Sequence, residues 1–173
     1  MSNLFGKLLV GTLFLTLGAC LLVLPQFAAS PAGLEMNGLP PRAQVANEPT
    51  PAFHDQPPQD VLPPTMEPAL FTETQTYNAY LVAGRIKKVL YQQPCYCHCD
   101  QSQGHGSLLD CYLSRHATEC DICQREDFYA YEQTHKGQKP SQIREGIMHG
   151  EWQNLDTSKY ARARLPQAST PAK

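Results

Sequence analysis

Six of the chain's seven cysteines fall between Cys95 and Cys123, and this clustering constrains the fold more than any other feature. Thiols so close in sequence must meet in one local structure, whether through disulfides, a bound ion or a redox couple. They read Cys95-x-Cys97-x-Cys99, then Cys111, then Cys120-x-x-Cys123, with His116 four residues before Cys120. If residues 95–99 are extended, the period of two places all three sulfurs on one side and Tyr96 and His98 on the other. On one helix, His116, Cys120 and Cys123 would share a stripe. If instead Thr118 and Asp121 cap a new helix, His116 lies just outside it. The two cysteines then sit in an N-terminal turn, where the helix dipole favours thiolate.

Three chemistries compete for these residues. The leading one is metal binding by Cys95, Cys97, Cys99, Cys111, Cys120 and Cys123, with His116 as a nitrogen ligand. Soft thiolates suit copper or zinc as the bound ion. Six sulfurs and an imidazole exceed one tetrahedral site, which leaves bridging thiolates in a dinuclear site, or one site with spare or disulfide-bonded cysteines. The second is structural disulfides, the default for an even cysteine count outside the cytoplasm. Thiols at i and i+2 do not readily bridge one another, so Cys95, Cys97 and Cys99 would each need a distant partner. The third is thiol–disulfide exchange at Cys120 and Cys123, without the βαβ setting that usually accompanies it.

Other functions are excluded or unsupported. Gln124 stands where covalent haem attachment needs a histidine after Cys-x-x-Cys. The N-terminus shows no twin-arginine signal for exporting a prefolded iron–sulfur protein, and no phosphate loop or serine triad is present. No catalytic residue is assigned. His105 reads as a polar loop residue and His98 as pointing away from the thiols. His54, His135 and His149 read as surface residues, and Asp110, Asp121 and Glu126 as helix-start or solvated charges. A formal net charge of −2 with interleaved signs excludes a nucleic-acid-binding polycation.

The rest of the chain divides by composition. Residues 1–30 read as a signal peptide with a lipobox or as a membrane anchor. An uncharged apolar run spans Leu8 to Leu24, and Leu17-Gly18-Ala19-Cys20 marks Cys20 as a lipidation candidate. Either reading places the remainder outside the cytoplasm, with the membrane as partner and any extracytoplasmic protein partner left open. Residues 31–70 hold ten of the fifteen prolines and read as a disordered, semi-stiff spacer. Residues 71–159 form the ordered unit, and 160–173 a frayed tail.

Within that unit the fold class is all-α, a small bundle of about four short helices cross-linked by the cysteines. The first begins near Thr74, with Tyr77, Tyr80, Leu81 and Gly84 on one face and Ile86, Val89 and Leu90 continuing it, until Pro94. A capping box of Ser107 and Asp110 opens the second. The third runs from about Thr118 or Glu119 to Tyr131 or beyond, with Gly137 as its stop. Pro140 opens the fourth, in which Ile143 and Ile147 share a face.

The run Pro94-Cys95-Tyr96-Cys97-His98-Cys99, with Gly104-His105-x-Ser107-Leu108, Cys111 and His116-x3-Cys120-Asp121-Ile122-Cys123, resembles the PCYCGC-motif lipoproteins, also called the CYCXC family of (seleno)proteins. The resemblance covers roughly residues 77–148. It implies a bacterial protein on the extracytoplasmic face of the cell membrane and supports the lipobox reading of Cys20, but it implies no established activity. Relatives carrying selenocysteine imply that at least one thiol is chemically active. His98 replaces the family's usual glycine, which bears on the turn between Cys97 and Cys99.

Overall fold

The computed structural model describes residues 48–167, and the candidate anchor with Cys20, the spacer up to residue 47 and the tail from 168 lie outside them. Among the described residues there are helices and loops and no strand. The α-helices are α1 (Thr74–Arg85), α2 (Lys87–Leu90), α3 (Cys99–Gln103), α4 (Asp121–His135), α5 (Pro140–Met148) and α6 (Ser158–Arg162). Short 3-10 turns lie at Pro68–Leu70, Leu108–Tyr112, His116–Thr118 and Glu151–Asn154. No helix is long and apolar enough to cross a membrane among these residues.

The α4 helix is the centre of the unit, touching α1, α2, α5 and three of the 3-10 turns. Its end is fixed by a Schellman motif: Gln138 N–H donates to Gln133 O and Gly137 N–H to Thr134 O, each at 3.0 Å. This closure needs a left-handed residue at position 137, and glycine adopts φ 78° there without strain. The α1 helix starts where Glu73 accepts hydrogen bonds from Gln75 N–H (3.0 Å) and Thr76 N–H (2.5 Å), replacing two of the helix's own missing partners. Tyr80, Leu90, Leu108, Leu109, Tyr112, Phe128, Ile143, Ile147 and Trp152 are completely buried in the core.

Three of the four expected helices are present, with differences that have local causes. The segment opened by Ser107 is a single 3-10 turn, Leu108–Tyr112, because the capping box does not form. The Ser107 side chain makes no cap hydrogen bond, and Asp110 turns back to accept from Gly106 N–H at 2.6 Å. The first helix breaks at Ile86 (φ −117°) and resumes as α2. The α1 helix is buried on more than the expected face: Ala79, Val82 and Ala83 are inaccessible, whereas Leu81 is half-buried and Gly84 exposed. The wider burial arises because the C-terminal segment covers a second side of the helix.

That segment is part of the fold rather than a frayed tail as far as residue 167. Tyr160 stacks on Phe128 at 3.8 Å between ring centroids, nearly parallel. Asn78, fully buried in α1, donates to Tyr160 O (2.7 Å) and Ala163 O (2.8 Å) and accepts from Leu165 N–H (2.7 Å). The Arg164 guanidinium lies over the Tyr77 ring and donates to Phe71 O and Thr72 O. A basic, Pro- and Ala-containing end has the composition of disordered chain, but the Asn78 amide matches its backbone groups, which composition does not display.

Residues 48–70, assigned to the spacer on their prolines, form a strap along the helices. Met66 N–H donates to Tyr112 O, Lys87 Nζ to Leu62 O and Pro63 O, and His54 stacks on Tyr91 at 3.9 Å. Arg144 pairs with Asp55 (3.2 Å) and covers the Phe53 ring. Closely spaced prolines rule out a helix interior or a central strand but not an extended path whose carbonyls accept from another element's side chains. Proteolysis of the native protein should therefore cut before residue 48 and spare 48–70, which N-terminal sequencing of the resistant fragment will show. Asn78→Ala, which removes three hydrogen bonds of a buried amide at about 1 kcal/mol each, should lower the melting temperature and expose the chain beyond Thr157 to cleavage.

Gly146 supplies a second test. It lies in α5 directly under Tyr129, whose hydroxyl donates to Glu151 (2.6 Å), and a methyl group at 146 would collide with that hydroxyl. Gly146→Ala should therefore destabilise the unit by about 1–3 kcal/mol in denaturant unfolding, despite alanine's higher helix propensity.

Candidate metal centre

The sulfurs converge because one loop, one 3-10 turn and the starts of α3 and α4 are folded onto the same point. Residues 95–99 are not extended. After α2, the chain turns so that His98 N–H donates to Cys95 O (3.1 Å), and His98 takes the left-handed conformation, φ 55° and ψ 34°. It is the one non-glycine residue with positive φ among the described residues. The turn folds Cys97 back on Cys95, with their sulfurs 3.4 Å apart, and starts α3 at Cys99, whose sulfur lies 3.4 Å from that of Cys111. Tyr96 N–H donates to Glu126 of α4 at 2.9 Å, fastening the turn to that helix.

Cys111 comes from the Leu108–Tyr112 turn and His116 from the next 3-10 turn. His116 therefore does not share a continuous helix with Cys120. Cys120 is itself the N-cap of α4, its sulfur accepting from Cys123 N–H at 3.4 Å. The Cys120 and Cys123 sulfurs are 2.9 Å apart, and Cys123 lies 3.5 Å from Cys95 and 3.6 Å from Cys97. His116 Nε2 is 3.6 Å from Cys97. All six cysteines of the cluster are free thiols.

Three overlapping ligand sets result, each with its donor atoms within 4.8 Å of one another. They are Cys95, Cys97, Cys111 and Cys123; Cys97, His116, Cys120 and Cys123; and Cys97, Cys99, Cys111 and His116. With metal–sulfur bonds of about 2.3 Å, a tetrahedral ion spaces its sulfurs by about 3.8 Å, close to the separations found here. The structure thus brings together all seven residues that the sequence singled out for metal. Cys20 lies outside the described residues.

The electrostatics of the cluster are those of crowded thiols competing for few negative charges. Hydrogen bonds from Cys111, Cys120, Cys123 and Cys95 hold the Cys97 thiol far below its usual range. Cys123 and Cys95 likewise bring Cys111 down to about 4. Burial raises Cys95, while Cys99 and Cys123 are raised chiefly by the thiol of Cys111. Burial also keeps the carboxyl groups of Glu126 and Asp127 well above the carboxylate range. A cation in the basket would reverse this balance, since coordination deprotonates thiols outright.

Two residues read differently in the structure. Glu126, expected on a solvated face, is fully buried, and one of its oxygens holds the Tyr96 turn. The signal was in the sequence: Cys123, Glu126, Asp127 and Ala130 fall at i, i+3, i+4 and i+7, and all four are inaccessible. His105, expected in a plain loop, has Nδ1 3.4 Å from the Cys111 sulfur and its ring edge-on to His116. His98 directs Nε2 to Glu48 at 2.9 Å.

The left-handed turn yields a direct test. His98→Gly removes a residue that tolerates this conformation at a cost of about 1–2 kcal/mol and substitutes one that adopts it freely. The fold should survive, with unchanged or higher stability in denaturant, whereas His98→Val should destabilise the protein.

Among known proteins, residues 54–154 match a family described as a protein of unknown function with PCYCGC motif. No curated protein and no solved structure matches the chain. The fifth letter of the motif is the glycine whose place His98 takes, and φ 55° supplies the physical reason for a glycine there.

Proposed function

Taking as premise that the chain belongs to the PCYCGC-motif family, we propose that it is a membrane-tethered, extracytoplasmic protein that holds copper or zinc on its Cys/His cluster and serves in metal handling without turnover of its own. The observation that carries the reading is the assembly of seven soft or borderline donors into overlapping ligand sets within 4.8 Å, with all six cysteines of the cluster free. Buried thiols in such numbers have no packing rationale that smaller apolar residues would not meet, whereas thiolate-rich baskets suit copper(I) and zinc(II). The tether rests on the apolar N-terminal run and the Leu17-Gly18-Ala19-Cys20 sequence.

A second reading is favoured by one specific feature. Cys120 is half-buried at the start of α4, its sulfur 2.9 Å from that of buried Cys123. An accessible thiol beside a shielded partner at a helix N-terminus is the arrangement of a thiol–disulfide couple. That function would give the purified protein dithiol-dependent reductase or isomerase activity, lost in Cys120→Ser and Cys123→Ser. A metal carrier has no such turnover.

The metal reading is tested by purifying the full chain under reducing conditions and measuring metal by mass spectrometry in native and denaturing solution, with thiols counted in parallel. The expected result is bound copper or zinc, lost on denaturation, with all six cluster thiols free. Chelation should collapse the helical signal cooperatively, because structural zinc in small domains contributes apparent free energies of about 10–16 kcal/mol. A metal-free protein lighter by the six hydrogens that three disulfides remove, and still folded in chelator, would refute it. Anchoring is tested separately: the wild-type protein should incorporate labelled fatty acid and Cys20→Ser should not.

A further inference from the structure

The ligand sets differ in exposure as well as membership. In the set Cys95, Cys97, Cys111 and Cys123, three of the four residues are buried. In the set Cys97, His116, Cys120 and Cys123, three of the four are half-exposed. The two sets share Cys97 and Cys123, whose sulfurs lie 3.6 Å apart. Six residues with two shared thiolates provide eight coordination positions, the number that two tetrahedral ions require.

The surroundings reinforce the asymmetry. Cys95 of the inner set lies behind the strap, where Pro51 and Ala52 line with it and Cys99 a gap too small to hold a water molecule. Ala52 N–H donates to Asp100 of α3, and Glu48 pairs with His98, tying the strap on that side. On the outer side, Cys120 and His116 reach solvent in the short segment before α4.

We infer that the cluster is a two-ion centre with unequal roles, in which Cys97 and Cys123 bridge a retained inner ion and an outer ion that exchanges through the Cys97–His116–Cys120 face. The inference rests on the metal reading proposed above. The inner ion, on Cys95, Cys97, Cys111 and Cys123, ties the Cys95–Cys99 turn and the Leu108–Tyr112 turn to α4, so its loss requires the fold to open. The outer ion is the cargo. An incoming thiolate or imidazole ligand, from a small thiol or a metal-accepting protein, can displace His116 and then Cys120 in turn while the bridging sulfurs hold the ion. These are ligand substitutions at constant metal oxidation state, with each released thiolate or imidazole free to take up a proton. Cys99 and His105 flank Cys111 without belonging to either set, at 3.4 Å each.

The test loads the reduced full-length protein with zinc(II), counts ions by native mass spectrometry, and follows release to the chromophoric chelator pyridylazoresorcinol alongside the helical signal. The expected result is two ions per chain released in two phases. The first should proceed with the helical signal intact, and the second only as that signal is lost. Cys120→Ser and His116→Ala should accelerate or abolish the first phase, by tenfold or more for the cysteine, and leave one slowly released ion. Cys95→Ser should remove the slow phase, and if it does not fold, the two-phase release of the wild-type protein still decides the question. One ion per chain, or two released in a single phase, overturns the inference while leaving metal binding in place. No bound ion overturns the metal reading itself.

Discussion

Contact among six sulfurs at the start of α4 is the constraint to which the surrounding loops are subordinate. Cys120 and Cys123 belong to the first turn of that helix, Cys99 opens the short α3, and the rest of the cluster arrives from a loop and two single 3-10 turns. Those loops have little regular hydrogen bonding of their own, so their paths depend on what the side chains find at the centre. The Cys95–Cys99 turn is held by a left-handed residue, by Tyr96 N–H on Glu126 and by sulfur contacts with Cys111 and Cys123. Without a cation, thiols at 2.9–3.6 Å share few charges and many protons. With one, the same separations become the edges of a coordination polyhedron.

The helical unit supplies a rigid floor for this cluster rather than the cluster itself. α4 carries Cys123 and Glu126 on the stripe that packs inward, and α1 with the Tyr80, Tyr112 and Phe71 rings closes the region beneath. Strap and C-terminal segment then wrap the floor from either end of the sequence, Arg164 reaching Phe71 O and Thr72 O where the strap meets α1. Apolar burial is thereby extended well beyond what three modest helices could achieve alone.

The sequence displayed the parts of this arrangement that follow from local rules. Periodicity and stop signals located α1, α4 and α5, including Gly137 and the Ile143–Ile147 pair, because the patterns reflect burial by neighbours in a helix. Cysteine spacing identified the residues of the cluster, since so many thiols in so short a span have few other destinations. It did not display how they meet. The turn at His98 is set by one backbone conformation, and the period-of-two argument for residues 95–99 presumed an extended chain. The strap and the tail were hidden for a related reason: proline, lysine and arginine describe solvent-exposed chain on average, while Asn78, Lys87 and Arg144 capture particular carbonyls and rings. His105 reached the cluster through a loop path that no spacing rule encodes.

The proposed membrane-tethered metal handler would account together for the apolar N-terminus, the free cysteines of the cluster and an open face beside a closed one. The central claim is that sulfur from this cluster binds the ion. X-ray absorption at the metal edge of the purified, reduced full-length protein tests it most directly. The account predicts a first shell dominated by sulfur at about 2.3 Å, with a minor nitrogen contribution from imidazole. A first shell of oxygen and nitrogen alone would place the metal elsewhere and contradict the account.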